Sequence, residues 1–302
     1  MAGMDFFIGA LKLMRPLEWS KSFGNMAIGT IFAAYATGIA ADPSMFIGAF
    51  IAVSLLWSGL YTLNDWTDKE VDRLHNIKRN RPIPSGVVGA DFALFFSAIL
   101  IAMSFAIGYF INALFMVCLA GMLINQMLYT LEPFSFKKRP VVDLISGSAI
   151  NPIFRFYAGW VLVAGAFNAP LLALIFVVGI QFGGFTIYRM SSYSVEKSLG
   201  YRSSVVVFGE GAVKAVSYIS IAASIIAYFA MTLNGNFIDI GRASGWLPFK
   251  FFLLGALSMI ALPLYAGALM NPKSADIGKM YNIVYINYIV FIAGMIILFF
   301  LP

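Results

Sequence analysis

Stretches of about 20 apolar residues recur along the chain. That recurrence leaves few folds open, because a helix rising about 1.5 Å per residue needs roughly that length to cross a hydrocarbon layer of about 30 Å. The stretches fall near 22–40, 45–66, 92–111, 113–131, 141–164, 170–190, 213–233, 249–270 and 281–301. They predict an all-α, multi-pass integral membrane protein of about nine transmembrane helices, a single domain over 1–302. Composition agrees: 61% of the residues are hydrophobic and 11% charged, against roughly 45–50% and about 25% in soluble domains. No separate soluble domain, repeat or low-complexity tract stands out, and no nucleic-acid partner is expected. The one cysteine, Cys118, rules out an internal disulfide and reads as a packing residue. Residues 5–14 read as a short interfacial helix closed by Arg15-Pro16. Broken by Lys12 and lacking a small-residue cleavage site, 6–14 does not read as a cleavable signal. Asn151-Pro152 should kink the fifth span.

Basic residues set the orientation. Lys12, Arg15 and Lys21 precede the first span, and Lys69, Arg73, Lys78, Arg79 and Arg81 follow the second. Lys137, Lys138 and Arg139 follow the fourth, Arg189, Lys197, Arg202 and Lys214 the sixth, and Lys273 and Lys279 the eighth. All of these loops lie on one side. The opposite loops are nearly uncharged apart from the one with Asp239, Arg242 and Lys250. The N-terminus and the basic loops are therefore expected in the cytoplasm and the C-terminus on the far side.

At the inner end of the second span the chain reads Asn64-Asp65-Trp66-Thr67-Asp68-Lys69-Glu70-Val71-Asp72. Asn64, Asp68 and Asp72 are spaced by four, so on a helix they drift by only about 40° per step and share a face, with Asp65 beside them. Carboxylates this close repel unless a cation neutralises them, and Mg²⁺ takes oxygen ligands while keeping waters and adding substrate phosphates. Asn64, Asp65, Asp68 and Asp72 thus predict a Mg²⁺-bound diphosphate. Arg73, Lys78, Arg79 and Arg81 in the next loop could hold its outer oxygens. The bland reading is a charged helix end at the membrane surface with a topological basic loop, but anchoring needs no periodic aspartates.

Taken as a unit, Asn64-Asp65-x-x-Asp68-x-x-x-Asp72 followed by Lys78-Arg79-x-Arg81-Pro82-Ile83-Pro84-Ser85-Gly86 resembles the signature of the UbiA superfamily of intramembrane prenyltransferases. The resemblance extends to Arg15-Pro16, to Asn25 in the first span, to Tyr129 with Lys137 eight residues on, to Asp143 and to the helix count. It implies helices around a central lipid-open cavity capped by cytoplasmic loops. It also implies two aspartate-rich motifs holding Mg²⁺ and diphosphate, with Tyr129 and Lys137 near that diphosphate. Asn25 would belong to the acceptor side or the pocket wall. The second motif should follow the sixth span. Register set by Gly200 to Glu210 puts Glu196 in place of its last aspartate, Ser192 of the one before and Tyr188 or a neighbour of the first. With one carboxylate left, a second Mg²⁺ would be poorly held, and Arg189, Lys197 or Arg202 could bring positive charge to the phosphates instead.

Three residues outside these motifs carry open alternatives. Arg155 lies inside the fifth span, where a charge is costly, so it is either half of a structural ion pair, a snorkelling cation or a substrate ligand. Asp143 could pair with Lys137 or Arg139, or act as an acid–base group on the acceptor side. His75, the only histidine, has no partner for a metal site and reads as a loop residue. The many Phe and Met residues divide between lipid-facing surface, core and a possible isoprenoid groove.

The resemblance implies a Mg²⁺-dependent transferase moving an isoprenyl group from a prenyl diphosphate to a lipophilic acceptor, aromatic or lipid. Two alternatives keep the fold: phosphoribosyl transfer to a polyprenyl phosphate, and terpene cyclisation. A transporter fits less well, because the acids gather at one membrane face and no pair of broken helices recurs in two halves.

Overall fold

A computed structural model of the chain describes residues 2–74, 78–190, 193–233, 246–263 and 277–301. His75, Ser192, Asp239, Arg242 and Lys273 lie outside them, as does the far end of the eighth expected span; Tyr188 and Lys279 are described by backbone alone. Every regular element among the described residues is helical. In chain order these are α1 (Ala2–Met14), α2 (Trp19–Thr37), α3 (Pro43–Thr67), α4 (Lys69–Leu74), α5 (Ala90–Tyr109) and α6 (Ala113–Thr130). There follow α7 (Val142–Ile145), α8 (Asn151–Trp160), α9 (Leu171–Met190), α10 (Tyr193–Ser198), α11 (Ser204–Thr232), α12 (Phe249–Ser258) and α13 (Ile277–Phe300). Among them α3, α5, α6 and α11 are long and apolar enough to cross a membrane, with shorter apolar helices over Leu171–Thr186, Phe249–Ser258 and Tyr285–Phe300.

Local chemistry fixes where the spans begin. Asp42 caps α3 by accepting from the backbone N–H of Ser44 at 2.8 Å, with Pro43 at the first helical position. Asn112 caps α6 through the Phe115 N–H at 2.7 Å. The large apolar side chains split in two. Phe32, Phe115, Phe156, Trp160 and Phe251 are core, whereas Phe95, Ile219, Ile226 and Leu257 stand exposed on helix faces, as lipid contact requires.

Helix α2 runs through the interior, buried at nearly every position from Gly24 to Ala34. It can do so because it is built from small residues. A Cβ on Gly29 would collide with the Phe156 carbonyl oxygen, and one on Gly159 with that of Met26. Thr30 Oγ1 donates across the same seam to the Gly159 carbonyl at 3.1 Å. Close backbone approach of this kind drives helix association where lipid removes the hydrophobic term.

The fifth expected span departs from α geometry beside Asn151-Pro152, in the form of a wide turn. Residues 146–150 between α7 and α8 have π geometry, just ahead of the residue that lacks an N–H. Asn125 of α6 closes the gap, donating to the Ser146 carbonyl at 2.9 Å and to Asn151 Oδ1 at 2.8 Å. The seventh expected span starts earlier than its hydropathy suggests: α11 begins at Ser204 and breaks at Gly209, whose φ of 78° suits glycine.

Candidate active site

The aspartate stretch does not form one continuous helix. Helix α3 stops at Thr67, Asp68 takes φ −91° and ψ 0°, and α4 restarts at Lys69. The four-residue spacing survives the break, since the Asp68 N–H donates to the Asn64 carbonyl at 3.0 Å and the Asp72 N–H to that of Asp68 at 2.8 Å. Nor are the carboxylates left to repel one another. Asp65 meets Arg15 at 2.5 Å and Arg81 at 2.9 Å; Asp72 meets Arg81 at 2.8 Å and Lys78 at 3.8 Å. Asp68 meets Lys137 at 2.5 Å and accepts from Asn64 Nδ2 at 3.3 Å. Acids and bases interleave, and three carboxylates face four cationic side chains.

Asp65 and Asp72 are buried, whereas the Asp68 side chain keeps 23% exposure. Among the described residues no three acidic, His or Cys side chains gather into a metal site of their own. A metal arriving with substrate has a lighter requirement, because Mg²⁺ keeps several waters and is bound through one or two carboxylates plus the phosphates. Asp68, with Asn64 beside it, fits that requirement. Asp65 and Asp72 are clamped by Arg15, Arg81 and Lys78. A surplus of cations over carboxylates also suits a diphosphate, which stays net negative with one Mg²⁺ bound.

A second cluster is buried behind the first. Arg189, at the end of α9, meets Glu196 at 2.9 Å and Asp143 at 3.3 Å, and Ser203 donates to Glu196. Asp143 also accepts from Ser204, at 3.0 Å from its N–H and 2.5 Å from its hydroxyl. Asp143 therefore pairs with neither Lys137 nor Arg139, the partners its sequence neighbourhood offers; Arg139 instead donates to the Pro133 carbonyl at 2.7 Å. Lys137 joins the clusters. Its ammonium holds Asp68 and its carbonyl accepts from Arg189 Nη2 at 3.2 Å. Tyr129, near the end of α6, lies within the field of Arg189, Asp143, Glu196 and Asp68. Three non-glycine residues with left-handed backbone, Arg15, Ser135 and Val141, all sit in this region, where such conformations persist only if the surroundings enforce them.

The other sequence-selected residues are elsewhere. Arg73 turns outward to Glu70 at 2.8 Å, and Arg79 is exposed. Lys197 lies over the Tyr193 ring. Arg202 lines a basic cleft of about 620 Å³ with Lys138, Arg139 and Tyr201, beside the clusters. Asn25 is fully buried, exchanging amide hydrogen bonds with Gln181 of α9, and Arg155 lies over the Trp57 ring with its carbon 3.8 Å from the centroid. Arg15, Ser203 and Ser204 were not selected as site residues, yet all three are built into it. Arg15-Pro16 was the available signal for the first; the serines gave none.

The UbiA prenyltransferase family matches this chain over residues 25–284. A decaprenyl-phosphate phosphoribosyltransferase of Mycolicibacterium smegmatis is 29% identical over 214 residues, 66% of this chain and 64% of that protein, so the chain spans just under two thirds of the length of that relative. The bacteriochlorophyll synthase 33 kDa chain of Cereibacter sphaeroides is 24% identical over 254 residues, 82% of each chain. Among solved structures, a UbiA homolog from Archaeoglobus fulgidus bound to DMAPP and Mg²⁺ superposes with a TM-score of 0.73 at 22% identity, covering 97% of this chain and 99% of that one. The same homolog bound to GPP and Mg²⁺ gives 0.72 at 21% identity, over 97% and 100%. With most of its length matched, this membrane-embedded chain belongs to the UbiA prenyltransferase family.

Proposed function

We propose that this enzyme transfers an isoprenyl group from a prenyl diphosphate to a lipophilic acceptor, with the diphosphate seated at the interleaved cluster on the cytoplasmic side. The reading rests on one observation: Asp65, Asp68 and Asp72 are each matched to a cation, and Lys137 ties Asp68 to the buried Arg189 cluster. Arg15, Lys78, Arg81 and Lys137 orient the diphosphate and stabilise the charge that grows on it as the allylic C–O bond breaks, the electron pair going to the leaving group. Mg²⁺ held with Asp68 and Asn64 would supply further Lewis-acid stabilisation of that charge. Below the cluster, Tyr61 and Trp57 continue the Asp65 face of α3 with ring centroids 5.5 Å apart. Their π faces can shield positive charge on the allylic carbon. The acceptor's nucleophile then closes the new bond to that carbon and gives up its proton. Asp143, with both oxygens engaged and no exposure, is a positioning residue that holds Arg189 and Ser204.

Mass spectrometry of products from C10, C15 and C20 diphosphates tests the reading. Asp68→Asn should lower turnover by roughly 10²-fold or more while the protein stays folded in detergent; near-normal rates would remove the mechanism. Phosphoribosyl transfer to a polyprenyl phosphate is the second reading, favoured by the likeness to the mycobacterial enzyme. Labelled phosphoribosyl diphosphate with polyprenyl phosphate separates the two, because a strict prenyltransferase leaves that label unused.

A further inference from the structure

Lys137 and Lys138 are neighbours with opposite duties. The Lys137 side chain is 12% exposed and turns in to Asp68, whereas that of Lys138 is 38% exposed and turns to Glu132 at 2.5 Å and over the Tyr201 ring at 5.4 Å. On the Lys138 side lies the cleft of about 620 Å³, walled by residues 138–140 from one loop and 199–202 from another. The proposed chemistry uses none of these side chains. Three of them, Lys138, Arg139 and Arg202, are cationic, and no acid lines the cleft. Both arginines are exposed, and among the described residues neither meets a carboxylate; Arg139 donates to the Pro133 carbonyl instead. Cations that served only to fix orientation could be scattered along their loops. Here two loops gather them into one concavity of the size that holds a small molecule, roughly 300–1,000 Å³.

Position narrows the ligand. Each wall leads straight into the membrane-embedded bundle: Pro140 lies two residues before α7, and Arg202 two residues before α11, which is long and apolar enough to cross a membrane. The Val141 N–H donates to Ser204 Oγ at 2.7 Å, which ties the two entry points together. Just past the cleft the chain turns apolar and stays uncovered, with Val141, Val207 and Phe208 exposed by 49%, 44% and 52%. A cationic cleft at the start of the spans, with bare apolar side chains next to it, matches a molecule that is anionic at one end and greasy at the other.

We propose that this cleft binds the headgroup of an anionic phospholipid of the surrounding bilayer, with Lys138, Arg139 and Arg202 around its phosphate and its acyl chains over the apolar entries of α7 and α11. Basic pockets between transmembrane helices take anionic headgroups on the same grounds, and arginine's donor fork suits a phosphate. A soluble anion would have no use for the apolar margin. This site goes beyond the transfer reaction and does not depend on it.

The test is native mass spectrometry of the purified full chain in a neutral detergent, titrated with phosphatidylglycerol and phosphatidylcholine of identical acyl chains. Phosphatidylglycerol should bind about fivefold or more tightly, since each basic residue near an anionic lipid contributes about that factor. The double variant Arg139→Gln/Arg202→Gln should bring the ratio close to one, whereas Arg139→Lys/Arg202→Lys, which keeps the charge, should retain most of it. Lys250→Gln should leave the ratio unchanged, because Lys250 follows Leu247, which bonds to Met231 at the far end of α11. In the wild type the ratio should also shrink as salt is raised, a readout that needs no variant. Equal binding of the two lipids overturns the site, as does a preference that survives the glutamine pair or ignores salt. The measurement is repeated with saturating Mg²⁺ and inorganic diphosphate, and the preference should persist. Its complete loss there would put the lipid phosphate in the diphosphate seat, or make the cleft a site for soluble anions, and either result overturns the proposal. Failure of the transferase reading looks different: Asp68→Asn would leave Mg²⁺-dependent diphosphate binding unchanged, whatever happens at the cleft.

Discussion

Burial in the second cluster pushes the Glu196 carboxyl above the ordinary glutamate value of 4.5, and the Arg189 guanidinium pulls it only part of the way back. A carboxyl raised by folding favours the folded state while protonated, and that contribution is lost as pH climbs through the raised value. Glu196→Gln should therefore raise the thermal midpoint at neutral pH, and the gain should vanish below about pH 4.5, where the native residue is itself protonated; a constant difference across that window would contradict the sign. The same residue marks where reading from sequence stopped. Glu196 is visible as the last acid of a thinned motif, but its partners Arg189 and Ser203 lie seven residues away on either side. A local pattern cannot say whether such a carboxylate faces a metal, water or a guanidinium. Lys137 was legible as a candidate from its spacing to Tyr129. That its carbonyl also anchors Arg189 was not.

Among elements, the contact of α2 with α8 depends on the absence of side chains. Gly159→Ala places a methyl group against the Met26 backbone, which has no rotamer to yield with. Overpacking of this kind costs about 1–3 kcal/mol, so the variant should lose thermal stability in detergent, more than Gly184→Ala on α9, where nothing lies within 4 Å. Equal midpoints would show that the seam gives way. Spans of strong hydropathy were readable because lipid imposes one length and one polarity on all of them. Helix α2 shows the limit of that rule: its Ser22, Gly24, Asn25 and Thr30 lower its hydropathy, yet these are what let it run through the interior. The π turn over 146–150 was half legible, since Pro152 announces a distortion whose form is decided by Asn125 on another helix.

At the scale of the molecule, the distribution of Lys and Arg predicts that the site loops face the cytoplasm. With the lone native thiol of Cys118 buried, single cysteines can report it. Arg79→Cys should react with an impermeant maleimide from the cytoplasmic side and Ala40→Cys, in the exposed loop after α2, from the other; the reverse pattern would invert the topology. Sequence alone determined that this is a helical membrane protein, and it located the aspartate stretch and the basic loop behind it, because periodicity, hydropathy and short-range spacing are local properties. Only the tertiary structure decided which charge meets which. Arg15 reaches Asp65 across 50 residues, Lys137 reaches Asp68 across 69, and among the described residues Arg155 is left without an acid. Those outcomes depend on how helices pack in three dimensions, where distance along the chain no longer measures distance between charges.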